Sequence, residues 1–329
     1  MKAIVVSHAP SEPPVRWMDW PDPVARPGWV IVEIFAASLN RNDAMSVAER
    51  TTRDARAVIG SDGAGVIATV GSDVDGWHVG DEVVILPSLW WGDHDRGPDE
   101  RFEILGDVTQ GTFAQFVAIP QENVFRRPAR LSWNENAALP LAGLTAWRAL
   151  MTRGQLAAGG RVLITGASGG VASLAIMMAQ SVGAEVFVTT SSSAKLDSAL
   201  AIGATDGVVR HDGWEIALGE FDPFDVVLDS SGANWPVLID RLSPGGTLVS
   251  IGRTAQNLAE VVVRDLFVGQ RKIIGSSMGS PREFAAFLEH VDGARWKPAL
   301  DSIIEMSRPD AAFTRLDASD RNGKVVLSC

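Results

Sequence analysis

The 329-residue sequence contains no tyrosine, although it holds 11 tryptophans and 12 phenylalanines. Chemistry that takes its acid or base from a phenol is therefore closed to it. Cysteine is almost as scarce. One residue, Cys329, allows neither an internal disulfide framework nor a thiolate-rich metal site. No stretch approaches the roughly 18 apolar residues of a membrane span, and the opening "MKAIVVSHAP" has too short an apolar run for a signal peptide. Basic residues are in the minority, 29 against 40 acidic ones, giving a net charge of −11. That field repels a polyanionic backbone, so no nucleic-acid partner is expected. The length exceeds what one core usually serves, and these limits together lead to the expectation of a cytoplasmic chain of two domains.

Short valine- and isoleucine-rich runs separated by glycine, proline and aspartate fill the first third: "KAIVV", "GWVIVEIFAAS", "AVIGSDGAGVIATVG", "GDEVVIL" and "GTFAQFVAIP". They predict an irregular, mostly antiparallel β domain. "WNENAALPLAGLTAWRALMTRG" reads as helix interrupted at Pro140. From Arg161 the rhythm changes, and "RVLITG", "EVFVTT", "DGVV", "DVVLDS", "GTLVSIG" and "KIIGSS" alternate with helical segments, the pattern of a parallel sheet covered on both faces. Val171, Leu174, Ala175, Met178, Ala179 and Val182 form one helical stripe, with Gly183 placed to end the helix.

Between the first of these strands and that helix lies "TGASGGVA". Gly166, Gly169 and Gly170 leave backbone N–H groups unobstructed at a helix N-terminus, as a dinucleotide pyrophosphate requires. Ala167 and Ala172 stand where a strict G-x-G-x-x-G has its first and third glycines. A site for NAD usually carries an acid at the end of the second strand. Here "EVFVTTSSSAK" offers Ser191, Ser192 and Lys195 and no carboxylate, which suits the 2′-phosphate of NADP(H). A serine N-cap beside a solvated lysine would read the same way.

The loop is shared by two dehydrogenase families. Short-chain dehydrogenases place it near the N-terminus and use a Y-x-x-x-K pair, and this loop begins at residue 165 in a chain without tyrosine. The sequence instead resembles the medium-chain dehydrogenase/reductase superfamily over nearly its whole length. The resemblance is carried by "GSDGAGVIATVGSDVDGWHVGDEVV", "GTFAQFVAIP", "AALPLAGLTAWRAL", "DVVLDSSG", "LSPGGTLVSIG" and "GKVVL". Within the superfamily it is most similar to zinc-independent quinone oxidoreductase-like proteins.

The resemblance implies an α/β protein: a Rossmann doubly wound parallel-sheet domain, residues 127–279, inside a β-rich GroES-like catalytic domain, residues 1–126 and 280–329. It implies pyrophosphate contacts from Gly169, Gly170 and Val171 with Ser168 nearby, and Ser191, Ser192 and Lys195 around the 2′-phosphate. Arg210 joins the adenine side. Thr145, Ile251 and Met278 approach the nicotinamide end, and Lys324 reaches the cofactor phosphates. The catalytic zinc of the superfamily takes cysteine and histidine from segments that here read "NRND" and "GSD", and the structural-zinc lobe, "LWWGDHDRGPDERFEILG", has no cysteine. Neither metal can be built. Asn40 takes the place of the asparagine of zinc-free relatives and is expected to hydrogen-bond a substrate carbonyl. Asp43 is expected to hold its loop, and Trp90 and Trp91 to wall the substrate or a subunit contact. The implied activity is an NADPH-dependent, zinc-independent reduction of a quinone or α,β-unsaturated carbonyl. The alternatives are an NADPH-holding sensor or structural protein with little turnover, and an alcohol or aldehyde dehydrogenase. A homodimer paired through "RKIIGSS" is the implied assembly.

Overall fold

A computed structural model describes residues 1–6, 13–50 and 57–329, for 49 and 50 the backbone only. The chain divides into two compact units, Met1–Leu144 with Gly279–Cys329, and Thr145–Met278.

The first unit opens with β1 (Lys2–Val6), β2 (Val15–Asp19), β3 (Trp29–Ser38), helix α1 (Arg41–Arg50), β4 (Ala57–Val58) and β5 (Asp62–Val70). It continues through β6 (Glu82–Ile85), β7 (Ser88–Leu89), β8 (Glu103–Ile104), β9 (Phe116–Pro120) and β10 (Val124–Arg126). The largest sheet has the order β10-β6-β5-β3, and β3 also pairs with β9. Its buried positions are the valines and isoleucines of the sequence runs, among them Val30, Val32, Ile34, Ile67, Val83 and Ile85, in one apolar core. Helix α2 (Trp133–Ala137) starts in a capping box between Ser132 and Glu135, and α3 (Pro140–Trp147) starts on the proline that breaks the run. Ala137 and Ala138 pack with Ala36, Ala64 and Val326 of the large sheet. That packing is why residues 127–144 go with the β unit, and the boundary falls at 144 rather than 126.

The second unit carries β11 (Arg161–Thr165), α4 (Gly170–Ser181), β12 (Glu185–Thr190), α5 (Ser193–Ala201), β13 (Asp206–Val209) and α6 (Trp214–Gly219). It ends with β14 (Phe224–Asp229), α7 (Trp235–Asp240), β15 (Leu242–Ser250), α8 (Val263–Gly269) and β16 (Lys272–Gly275). The six strands are all parallel in the order β13-β12-β11-β14-β15-β16. Strand order reverses beside β11, which is where such sheets open a crevice for a ligand. On α4 the residues Leu174, Ala175, Met178 and Ala179 are buried as the stripe predicts, but so are Ser173, Ile176 and Met177. The helix is enclosed on more than one face, and amphipathic periodicity alone does not reveal that. Gly183, at φ +85°, ends it in the left-handed region.

The chain returns to the first unit through α9 (Pro281–Ala294), capped by Ser280 and Glu283, then β17 (Leu300–Glu305), α10 (Pro309–Asp317) and β18 (Lys324–Ser328). Strand β18 runs antiparallel to β3 and closes the large sheet with β17. No helix among the described residues is long and apolar enough to cross a membrane.

Candidate active site

In the first unit three strand ends meet. Ser38 closes β3 directly opposite Asp62, which opens β5, and β18 pairs Val326 with Ser38. The N–H of Leu39 donates to the carbonyl of Val325, so Lys324 comes to lie beside Asn40. The result is a knot of buried polar side chains. Oδ2 of Asp62 accepts from Ser38 Oγ at 2.8 Å, from Asn40 Nδ2 at 2.9 Å and from Lys324 Nζ at 2.9 Å. Its Oδ1 accepts from the backbone N–H of Leu141 at 2.7 Å. Lys324 Nζ also donates to Asn40 Oδ1 at 2.6 Å.

This network determines which way the Asn40 amide points. An ammonium only donates and a carboxylate only accepts, so the amide oxygen must face Lys324 and the amide nitrogen Asp62. Asn40 is 7% exposed, against 0% for Asp62 and 2% for Lys324, and is the least buried of the three. Asp43, in the first turn of α1, accepts the backbone N–H of Asn40 at 2.6 Å and so ties down the residue before the helix. Burial pushes the Asp43 carboxyl up to about 8, with the Asn40 N–H opposing and the neighbouring Asp62 charge adding to the rise.

The donors at this place are an amide, the buried hydroxyl of Ser61 and a carboxylate already paired with an ammonium. No group of three or more His, Cys, Asp or Glu side chains suited to a metal occurs among the described residues. This set does not fit zinc, which takes cysteine sulfur, histidine nitrogen and carboxylate oxygen in a tetrahedron. Lys324, expected on the cofactor phosphates, gives two N–H bonds to Asn40 and Asp62, because the β3–β18 register sets it there. Trp91 is no substrate wall. It is 2% exposed, edge-on to Phe102 and bonded through Nε1 to the His94 carbonyl, so it packs inside the first unit.

In the second unit the glycine turn lies between β11 and α4. Gly166 has φ +82°, a conformation costly for other residues, and a Cβ added at Gly166 or Gly169 would meet nothing within 4 Å. Gly169 precedes α4 without a side-chain cap, leaving the first helical N–H groups, at Gly170 and Val171, without an intrahelical partner. Ser168 sits in the same turn and is partly exposed. Open space over uncapped helical N–H groups fits a dinucleotide pyrophosphate.

At the end of β12, Ser192 caps α5 by accepting the N–H of Lys195 at 3.4 Å, and Lys195 Nζ donates to Ser191 Oγ at 3.3 Å. The cap and the hydroxyl–lysine cluster therefore coexist. Arg210 is exposed one residue past β13, its N–H on the carbonyl of Thr190 at 2.7 Å, which sets it beside the same strand end. The hydroxyl of Thr190 is buried without a hydrogen-bond partner. Elsewhere in the unit, Thr145 Oγ1 lies 4.0 Å from the sulfur of Met278, whose φ is +51°, and Ile251 donates its N–H to Asp229 at 2.8 Å.

One residue that sequence reasoning passed over organises the C-terminal end of β14. The buried Asp229 accepts from Thr165 Oγ1, Ser231 N–H and Oγ, Gly232 N–H and Trp235 Nε1. The run "DSSG" after an apolar strand was the available signal.

A β-rich unit interrupted by a parallel sheet in this order, with a phosphate-type turn at its reversal point, defines a two-domain dinucleotide-binding oxidoreductase architecture. The family description "Alcohol dehydrogenase GroES-like domain" matches residues 26–129, and "Zinc-binding dehydrogenase" matches residues 170–293. A 2-methylene-furan-3-one reductase of Solanum lycopersicum is 30% identical, over 91% of this chain and 71% of its own length. A zinc-type alcohol dehydrogenase-like protein of Schizosaccharomyces pombe is also 30% identical, over 92% of this chain and 91% of its own. The crystal structure of an NAD-dependent alcohol dehydrogenase superposes with TM-score 0.91 at 31% identity, each chain fully covered. The chain belongs to the medium-chain dehydrogenase/reductase superfamily, a family of NAD(P)H-dependent oxidoreductases.

Proposed function

We infer that the protein is an NADPH-dependent, zinc-independent reductase of quinones or α,β-unsaturated carbonyl compounds. The observation that carries this reading is the orientation of the Asn40 amide. With its oxygen taken by Lys324 and one N–H taken by Asp62, what Asn40 has left to offer a substrate is an N–H. A donor stabilises an oxygen that gains negative charge, as the acceptor oxygen does on hydride addition. The crotonyl-CoA carboxylase/reductase and the furanone reductase among the relatives carry names of the same reaction type.

When bound, NADPH supplies a hydride and is left as NADP⁺. The acceptor gains the electron pair at its electron-poor carbon, its π electrons move to oxygen, and the resulting enolate or hydroquinone anion takes a proton from water. Asn40 holds that oxygen and lowers the charge it must carry. Gly166, Ser168, Gly169, Gly170 and Val171 bind the pyrophosphate, and Ser191, Ser192, Lys195 and Arg210 bind the 2′-phosphate. Thr145, Ile251 and Met278 frame the nicotinamide.

A homodimer is part of this reading. Among the described residues strand β16 pairs only with β15, and α8 before it has no buried residue while Val263, Phe267 and Val268 are exposed. An open strand edge beside an apolar helix suits a second copy of the chain. The single cysteine suits a reducing compartment such as the cytoplasm.

Purified protein incubated with NADPH and a panel of quinones, enones and aldehydes tests the function, with NADPH oxidation followed by absorbance. Consumption with quinones or enones is expected. Cofactor binding without turnover of any acceptor would overturn the reductase reading in favour of a sensor.

A further inference from the structure

A buried lysine–aspartate pair is a poor way to gain stability, because desolvating both charges offsets most of their attraction. Lys324 and Asp62 are 2% and 0% exposed and 2.9 Å apart, in a unit whose buried side chains are mostly apolar. An apolar pair would hold the strand ends equally well. What an apolar pair would not do is act on Asn40, and this pair does so from both ends: the ammonium on the oxygen and the carboxylate on the nitrogen. A cation at an amide oxygen draws electrons from the nitrogen and makes the remaining N–H a stronger donor. That remaining N–H has no partner among the described residues, and it belongs to the most exposed member of the group.

We propose that Lys324 is a positioning residue for the reduction: its buried ammonium fixes which end of the Asn40 amide meets the acceptor and strengthens that end as a donor. The fold thereby supplies its own cation behind the oxyanion-binding group, from the last strand of the chain. The proposal rests on the reductase reading above. It selects acceptors whose oxygen becomes an anion after hydride addition, since only these draw on a polarised donor.

The test compares wild-type protein with Lys324→Met, Asp62→Asn/Lys324→Met, Asn40→Ala and Asn40→Ala/Lys324→Met. The acceptor is whichever quinone or enone the wild type reduces best. Lys324→Met is expected to lower kcat about 10- to 100-fold, somewhat less than deleting an oxyanion donor outright, while NADPH affinity and KM stay within about twofold. The Asp62→Asn/Lys324→Met protein leaves no lone buried charge and should fold, and it is expected to show the same fall in kcat. In the Asn40→Ala background the lysine change should cost nothing further, because its effect passes through the amide. A second readout needs no turnover. The side-chain amide resonance of Asn40, identified by its loss in Asn40→Ala, should shift when Lys324 is replaced.

A kcat in the Asp62→Asn/Lys324→Met protein equal to wild type overturns the proposal. So does a lysine effect of full size in the Asn40→Ala background, or an amide resonance that does not move. Absence of wild-type turnover with every acceptor overturns the reductase reading and this proposal with it. Wild-type turnover with indifferent variants overturns this proposal alone.

Discussion

The amide oxygen of Asn40 and the ammonium of Lys324 are 2.6 Å apart, although 284 positions separate the two residues in sequence. The hydrogen bond joins the beginning of the β unit to its last strand, and its energetic consequence appears first in stability. Lys324→Met strands the Asp62 carboxylate in the interior, and breaking such a pair costs about 3–5 kcal/mol. Urea unfolding should show that loss for the single variant, and Asp62→Asn/Lys324→Met should recover most of it.

Asp43 makes stability depend on pH. Its carboxyl is raised to about 8 in the native state from 3.8, mainly by burial. Between those values the folded chain holds a proton that the unfolded chain has released, so stability falls as pH rises through the window and is level above it. Asp43→Asn keeps an acceptor for the Asn40 N–H but cannot titrate. Urea unfolding at about pH 5 and about pH 8.5 should therefore show a smaller drop for Asp43→Asn than for the wild type.

Lys195 and Arg210 should discriminate between the two nicotinamide cofactors. Each is at the surface beside the end of β12, Lys195 already hydrogen-bonded to Ser191. Hydrogen bonds to a charged group contribute about 1.5–3 kcal/mol, so Lys195→Ala should weaken NADPH binding roughly tenfold or more and leave NADH unchanged. Fluorescence titration with both cofactors reads this out. Equal losses for both would remove the 2′-phosphate assignment.

At Gly169 the backbone is ordinary, φ −75° and ψ 159°, and a side chain would meet no protein atom within 4 Å. Gly169→Val is expected to leave the thermal midpoint nearly unchanged, the loss of a good N-cap residue costing about 1 kcal/mol or less. The same side chain would stand in the phosphate space, so NADPH affinity should fall steeply. A variant that binds NADPH as the wild type does would place the pyrophosphate elsewhere.

The apolar face of α8 gives a prediction about assembly. Phe267 is 63% exposed and Val268 60%. Phe267→Glu should shift a dimer towards monomer in analytical ultracentrifugation and leave monomer stability within about 0.5 kcal/mol, as for other exposed positions. A chain that is monomeric before the change would exclude the edge-strand dimer.

Local patterns carried much of the architecture into the sequence. Strand runs such as "WVIVEIFAAS" and "RVLIT" are legible because burial on one or both faces selects β-branched residues at short spacing. The glycine turn is legible because the positive φ of Gly166 favours glycine, and Gly169 enters α4 without a side-chain cap. The unit boundary was less so. Helix α2 has a clear capping box, yet nothing within "WNENA" says that the alanines after it pack on Ala36 and Ala64.

By itself, the sequence determined the two-unit plan, the glycine turn before α4, the serines and lysine after β12, and the lack of cysteine pairs and of tyrosine. These follow from residue type and short-range spacing, which act over a turn or a strand. The tertiary structure alone decided the partners of Asp62, the direction of the Asn40 amide and the place of Lys324. Those depend on the register of β18 against β3, a pairing between residues nearly the whole chain apart, where no local pattern records which side chains will meet.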